Sequence, residues 1–161
     1  MTVTLQFISF TVNKNLYGLD IRVVKEISTN TDITPVPLTP GHVRGLVNIR
    51  GQVVLVLDID VIFGRDQRPI TPESRTVILK TAPELKKVRG LDQDFDSKPF
   101  GDKPIAFLID NIGDVVSVDE RAIEPPPPHL EQAKADHLGG VVRLGERVQM
   151  ILDAAQILGR D

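Results

Sequence analysis

Cysteine and tryptophan are both absent from the 161 residues of this sequence. Without cysteine, the chain can form no disulfide bond, offer no thiolate ligand to zinc and use no cysteine nucleophile. Its six phenylalanines and single tyrosine would supply a base-stacking surface poorly, and its net charge of −3 gives no support to phosphate-backbone binding. Nucleic acid is therefore not an expected partner.

Long apolar runs are also missing. The longest, Val53–Leu57, suits a buried strand and falls far short of the roughly 20 residues that a membrane span needs. The first residues lack the basic start and apolar middle of a signal peptide. With 41% hydrophobic and 25% charged residues, the composition is that of one globular domain, which we expect to be cytoplasmic.

Signatures of catalysis and metal binding are absent as well. His42, His129 and His137 are far apart and show no HxH or HExxH spacing, so we expect solvated loop histidines. There is no GxSxG motif for a nucleophilic serine and no glycine-rich phosphate loop. Aspartates alternate over 92–96, but the glycine and closing glutamate of a calcium loop are missing. These observations favour a binding protein without metal or cofactor.

Turn-forming residues separate a series of short apolar segments. Strands are predicted at 5–12, 16–20, 75–80, 103–109 and 114–118. A short helix is predicted over 21–27, capped by Asp20, because its apolar residues recur at a spacing of three. Many short strands and no long helix predict an all-β protein with short helices, built as a barrel or a sandwich.

Two β-hairpins are the strongest local predictions. Segments 46–57 and 141–152 each contain two apolar strands around a turn with glycine. An aspartate follows each hairpin, Asp58 and Asp153, and can cap a short helix that ends at a glycine. The repetition suggests an internal duplication.

Two segments have no regular apolar period. Residues 82–103 are rich in Lys, Asp, Pro and Gly, which predicts a long, solvated and mobile loop that folding does not require. The run Pro125–Pro128 predicts an extended polyproline-type connector.

Two motifs resemble the CheW family of chemotaxis adaptors. The first is Tyr17-Gly-Leu-Asp-Ile21 running into Val24-Lys-Glu-Ile27, and the second extends from Pro40 to Asp58 around Gly45-Leu-Val-Asn-Ile-Arg50-Gly51. The later segments 75–79 and 109–116 also resemble that family, in the same order, as do the stretches 138–141 and 150–153 near the end. The resemblance covers essentially the whole chain, although the 82–103 insertion is longer than the family's turn there.

This resemblance implies a single domain over 1–161 made of two packed, five-stranded β-barrels. It also implies a non-enzymatic adaptor, without cofactors, that couples chemoreceptors (methyl-accepting chemotaxis proteins) to the histidine kinase CheA. The adaptor would bind the regulatory domain of CheA and the cytoplasmic tips of the receptors, and so be recruited to membrane receptor arrays. The alternatives are a small barrel enzyme, a ligand-binding barrel, or a module of a related chemosensory pathway with non-flagellar output.

In this family, receptors bind a groove between the barrels and the kinase binds the barrel ends. The resemblance assigns the receptor groove to Val24, Glu26, Ile27, Arg50, Ile78 and Val115. On composition alone, the four aliphatic residues are more often core residues than contacts. Glu26 and Arg50 would specify a partner in an apolar groove, unless Arg50 is simply solvated in its turn. Gly45 and Gly51 are expected to shape the backbone.

Overall fold

The computed structural model describes residues 3–89, 91, 95–126 and 137–159. Strands dominate these residues, and the predicted all-β class is confirmed. The strands are β1 Thr4–Val12, β2 Asn15–Asp20, β3 Val24–Ser28, β4 Val43–Ile49, β5 Gln52–Asp58, β6 Arg75–Leu79, β7 Ile105–Ile109, β8 Asn111–Asp119, β9 Leu138–Leu144 and β10 Arg147–Leu152. The short helices are α1 Ile59–Ile62, α2 Ala82–Leu85 and α3 Ala154–Leu158, with 3-10 helices at Ile21–Val23, Lys98–Phe100 and Glu120–Ala122.

The strands form two five-stranded sheets with the same topology. Sheet 1 has the order β8-β1-β2-β10-β9, and sheet 2 has the order β3-β6-β7-β5-β4. The corresponding pairs β2–β10 and β7–β5 are parallel, and the remaining neighbours are antiparallel. Sheet 2 comes from the middle of the chain, and sheet 1 combines its beginning with its end. The shared topology supports the internal duplication.

The sheets are not the closed barrels that the resemblance implied. In the described residues, no ladder joins the two outer strands of either sheet. The chain beyond one outer strand instead reaches the other through a single bridge, Thr34 to Leu46 in sheet 2 and Glu124 to Val141 in sheet 1. Proline follows immediately in both cases, as Pro35 and as Pro125. Because proline has no N–H to donate, neither bridge can extend into a ladder.

Three apolar clusters hold the sheets. The largest lies between the two sheets and includes Phe10 of β1, Tyr17 of β2 and Phe107 of β7. A second cluster, called the inner cluster of sheet 2, lies on the opposite, concave face of that sheet and includes Ile78 and Ala106. A third lies on the corresponding face of sheet 1. Neighbouring residues of β7 serve different clusters because side chains alternate across a strand. Both faces of β7 are therefore apolar, which explains its uninterrupted hydrophobic sequence.

The helix predicted over 21–27 is wrong beyond its first turn. Asp20 does cap the 3-10 helix, accepting a hydrogen bond from the Arg22 N–H at 2.9 Å. From Val24 onward, however, the chain is extended and pairs with β6, with an irregular register between Val24 and Glu26. This bulge lets both Val24 and Ile27 pack toward the inter-sheet cluster. The apolar spacing of three residues that predicted a helix is therefore produced by a bulged strand.

Both predicted hairpins and both helix caps are confirmed. β4 pairs with β5 and β9 pairs with β10, each antiparallel. Asp58 accepts a hydrogen bond from the Asp60 N–H at 3.0 Å, and Asp153 accepts one from the Gln156 N–H at 3.1 Å. The predicted solvated state of His137 is wrong, because its ring packs 5.8 Å from that of Phe63 and is 5% exposed.

The prediction of a long solvated loop at 82–103 is wrong for its described part, whereas its mobility and its dispensability for folding stay predictions. Thr81 and Glu84 form a capping box at the start of α2. Leu85 and Phe100, each 2% exposed, belong to the inter-sheet cluster. These two anchors lie in separate helical turns and follow no regular period, so the sequence pattern did not reveal them. Residues 92–94, like 127–136 with the second half of the proline run, lie outside the described residues.

We expect Phe100→Ala to lower the free energy of unfolding by about 3–5 kcal/mol, because a fully buried ring leaves a cavity between the sheets. Lys98→Ala, in the same 3-10 helix but exposed, is the matched control and should change stability little. Chemical denaturation of both variants measures the difference. Equal stability of Phe100→Ala and wild type would show that the insertion does not support the core.

Candidate functional site

An ion pair joins the two outer strands of sheet 2. The Arg50 guanidinium, in the turn after β4, lies 3.3 Å from the Glu26 carboxylate of β3. The Arg50 side chain is 81% exposed and that of Glu26 is 23% exposed. The pair thus closes one end of the curled sheet while keeping a cation on the surface. A charge held in this way suits recognition of a partner.

The β4–β5 turn presents Arg50 in an uncommon backbone conformation. Arg50 and Gly51 both have positive φ, 55° and 85°, as a two-residue type I′ turn requires. Positive φ costs a non-glycine residue roughly 1–2 kcal/mol. The Asn48 side chain steadies the turn by accepting a hydrogen bond from the Gly51 N–H at 2.8 Å. The Asn30 side chain in turn donates to the Asn48 carbonyl at 2.7 Å.

The other four residues assigned to the receptor groove lie in different surroundings. Ile78 is opposite Glu26 in the ladder and is 2% exposed, within the inner cluster of sheet 2. Val24 is buried and Ile27 half-buried against the inter-sheet cluster. Val115 is 54% exposed on β8, the outer strand of sheet 1. The structure brings Glu26, Arg50 and Ile78 together, and the receptor role of all six stays a prediction.

The duplicated fold provides an internal comparison for the ion pair. The closing hairpins of the two sheets align residue for residue through their ladders, so the Arg50-Gly51 turn of sheet 2 corresponds to the Gly145-Glu146 turn of sheet 1. The counterpart of Arg50 is therefore Gly145, which has no side chain to form an ion pair. Sheet 1 forms the same topology with a glycine at this position. The fold therefore does not require the ion pair.

Gly45 and Gly51 differ in the space around them. Gly45 has a φ of 140°, and a Cβ there would lie 2.1 Å from the Thr34 carbonyl oxygen. Gly51 has a φ of 85°, but nothing lies within 4 Å of such a Cβ. Gly140 of sheet 1 is like Gly45, with a φ of 146° and the Glu124 oxygen 2.8 Å away. At Gly45 a side chain would thus displace the bridging backbone.

Leu38 is an exposed feature that sequence reasoning missed. It lies in the proline-rich loop before β4, has a φ of 63°, and its side chain is fully exposed. The loop is braced by the Thr39 hydroxyl, which donates to the Val36 carbonyl at 2.8 Å. A strained leucine that contacts only solvent is a candidate anchor for a protein partner. The sequence feature that could have indicated this exposed side chain is a leucine between prolines, in a segment without a regular apolar period.

The described residues present two exposed groups suited to binding a partner. Among the described residues, no three side chains of histidine, aspartate or glutamate converge to hold a metal ion. One hollow of about 430 Å³ is lined mainly by aliphatic residues of β4, β5, β7, α1 and α3. What stands out chemically is a surface cation at one end of sheet 2 and an exposed leucine in the loop before β4.

Comparison with known proteins gives a consistent set of likenesses. A family model described as CheW-like domain matches residues 6–161. The chemotaxis protein CheW of Klebsiella aerogenes is 27% identical over 160 residues, covering 99% of this chain and 85% of that protein. Its counterpart in Treponema pallidum is 28% identical over 148 residues, covering 92% and 78%. The scaffolding protein TtCheW from Thermoanaerobacter tengcongensis matches in structure with a TM-score of 0.72 and 26% identity, over 94% of this chain and 85% of that one.

We expect Gly51→Ala to lower the free energy of unfolding by about 1–2 kcal/mol, through backbone conformation alone. Gly45→Ala should lower it by roughly a further 1–3 kcal/mol, because its Cβ also overlaps the bridging carbonyl of Thr34. Urea denaturation of the two variants side by side checks the order. Equal decreases in the free energy of unfolding would show that the Thr34–Leu46 bridge accommodates a side chain at Gly45 without further cost.

Proposed function

Because the chain belongs to the CheW-like family, we propose that it is an adaptor that couples chemoreceptors to the histidine kinase CheA by binding both. The family consists of non-catalytic scaffold proteins of chemotaxis, so the chain is not an enzyme. No helix among the described residues is long and apolar enough to cross a membrane. Contact with the receptors would recruit the chain to receptor arrays.

The observation that carries the receptor half of this proposal is the Glu26–Arg50 ion pair. It is exposed on the Arg50 side, it has no counterpart in sheet 1, and the fold forms without it there. A charge that the fold does not need, in a strained turn, is best explained by recognition of a partner. Val115 would contribute an apolar contact from the outer strand of sheet 1.

The kinase half of the proposal rests on the separation of two surfaces. Leu38 precedes β4 and Arg50 follows it, so the strand's seven residues separate them by roughly 20 Å at about 3.3 Å per residue. An adaptor must bind two partners at once, which requires surfaces that do not overlap. We assign the loop around Leu38, at the far end of sheet 2 from the ion pair, to the kinase.

Arg50→Ala and Glu26→Ala should each weaken binding of a receptor cytoplasmic fragment while the protein stays folded. Truncating one member of a desolvated charge pair at an interface costs roughly 2–5 kcal/mol, which is about thirtyfold or more in affinity. Binding of a CheA regulatory-domain fragment should change less. Calorimetric titration against both fragments, with a thermal melt of each variant, measures these effects.

Arg143→Ala is the matched control for the receptor experiment. Arg143 is also exposed on an outer strand and pairs with a glutamate, Glu124, at 3.0 Å, but in sheet 1. Its loss should leave both affinities unchanged. Unchanged receptor affinity in Arg50→Ala would contradict the receptor assignment. Loss of the cooperative thermal transition in that variant would show that the ion pair is needed for folding. Binding of the wild type to neither fragment would leave the enzyme and ligand-binding alternatives standing.

Leu38→Asn should move stability and kinase binding in opposite directions. Asparagine tolerates positive φ, so we expect a gain of roughly 0.5–1 kcal/mol in the free energy of unfolding. Loss of a buried leucine contact should weaken binding of the CheA regulatory domain about tenfold. Receptor affinity should stay within a factor of about two, as a surface substitution away from that site predicts. A more stable variant with undiminished kinase affinity would refute this surface.

A further inference from the structure

A network of three arginines and three aspartates lies where the two sheets meet. Asp60 of α1 is 1% exposed, and Arg65 and Arg68 lie 2.9 and 3.3 Å from its two carboxylate oxygens. Asp58, which caps α1, pairs with Arg44 at 2.9 Å, and the same guanidinium donates to the Arg68 carbonyl at 3.2 Å. A buried carboxylate is stable only with such partners, so Asp60 holds both arginines in place.

Arg68 extends this network from sheet 2 to sheet 1. Besides Asp60, its guanidinium binds both carboxylate oxygens of Asp110, one of them at 2.9 Å. Asp110 is the single residue between β7 of sheet 2 and β8 of sheet 1, and it accepts a hydrogen bond from the Asn13 N–H, in the β1–β2 turn of sheet 1, at 2.8 Å. The bond to Asp110 raises the pKa of Arg68 despite partial burial. One side chain thus links a helix of sheet 2 to a strand and a turn of sheet 1.

A second contact crosses the same boundary beside Arg68. Tyr17 of β2 lies next to Arg65, and burial raises the pKa of Tyr17 to about 12. The duplicated half of the fold has no equivalent of the network. The counterparts of Arg44 and Asp60 in sheet 1 are Gly139 and Ala155, whereas the capping aspartate is kept as Asp153. Folding of one sheet therefore needs the cap but not the network.

The network provides directional contacts between the sheets, which the apolar cluster between them does not provide. Apolar packing resists separation of the sheets, but it is non-directional, and similar packings at slightly different angles differ little in energy. Charge-assisted bonds between a planar guanidinium and two carboxylates have strict geometry. The receptor groove that the resemblance assigns takes Glu26 from β3 of one sheet and Val115 from β8 of the other, so its shape would change with the angle between the sheets.

We propose that Arg68 is a positioning residue that sets the angle between the two sheets and thereby the shape of the receptor-binding groove. The groove part of this proposal rests on the proposed function, and the angle part does not. Arg68 acts through Asp110, which fixes the start of β8 and hence the placement of Val115 relative to Glu26 on β3. The ion pairs and hydrogen bonds that Arg68 forms within the described residues go to Asp60, Asp110 and Arg44, none of which is assigned to a partner.

The test compares Asp110→Asn with Asp119→Asn in the full chain. Asp119 also binds an arginine with both oxygens, and its side chain is 35% exposed against 30% for Asp110. Its partner Arg121 lies two residues away, so that pair joins no sheets. Because the chain has no cysteine, spin labels can be placed on Val53→Cys and Val148→Cys, exposed and equivalent positions of the two sheets.

We expect Asp110→Asn to shift or broaden the distance distribution between the labels and to weaken binding of the receptor fragment at least about threefold. Affinity for the CheA regulatory-domain fragment should stay within a factor of about two, because the Leu38 loop lies within sheet 2 alone. Asp119→Asn should change neither the distances nor the affinities. If Asp110→Asn does not fold, Arg68→Lys keeps the charge, loses the planar fork and takes its place.

An unchanged distance distribution in the folded variant overturns the proposal, whatever happens to receptor affinity. A changed distribution with undiminished receptor affinity overturns its groove part. A wild-type chain that binds no receptor fragment would sink the proposed function and the groove part together. The two distance distributions would still decide whether Arg68 holds the angle between the sheets.

Discussion

Two backbone hydrogen bonds between Thr34 and Leu46 determine the shape of sheet 2, and hence where its surface groups lie. They are 2.8 and 2.9 Å long, and they bring the chain beyond β3 against β4, at the opposite edge. The approach is possible because Gly45 leaves room for the Thr34 carbonyl, and it stops after one residue because Pro35 cannot donate. The curled sheet then brings Arg50 within reach of Glu26.

A bridge opposite a glycine also occurs in sheet 1. Comparing the two sheets therefore shows which features the fold requires and which it does not. The bridge, the glycine opposite it, the capping aspartate and the following helix occur in both halves. These repeated features are what the topology needs. The Glu26–Arg50 pair belongs to sheet 2, and the Asp60 network starts in sheet 2 and reaches Asp110 at the start of sheet 1. The Asp60 carboxylate is buried, so the cost of its charge is one that the shared topology does not require.

The sequence predicted the features that depend on neighbouring residues and missed those that depend on distant ones. Hairpins and helix caps follow from a turn or a single side chain, and they were predicted correctly. The helix over 21–27 failed because a bulge changes the period of β3, which only pairing with β6 reveals. Leu85 and Phe100 were missed because a buried anchor between sheets needs no periodic neighbours. The prediction of closed barrels rested on the resemblance, and it is wrong because Pro35 and Pro125 prevent the bridges from extending into ladders.

The candidate site divides in the same way. Glu26 and Arg50 were identified through resemblance, and no local pattern indicated that a strand and a distant turn would meet. Composition correctly suggested that Val24 and Ile78 are buried.

Leu38 and Arg50 share a property that links strain to binding. Both have left-handed backbone conformations, which asparagine or glycine adopts at lower cost. The Leu38 side chain is fully exposed, and the ion pair of the 81% exposed Arg50 with Glu26 contributes at most about 1 kcal/mol, so contacts within the chain do not fully offset that cost. A conformation of this kind holds a side chain in a fixed direction before any partner arrives, which reduces the entropy lost on association. Local strain at the two ends of sheet 2 is therefore what an adaptor with two preformed surfaces would have, and a chain selected for stability alone would not.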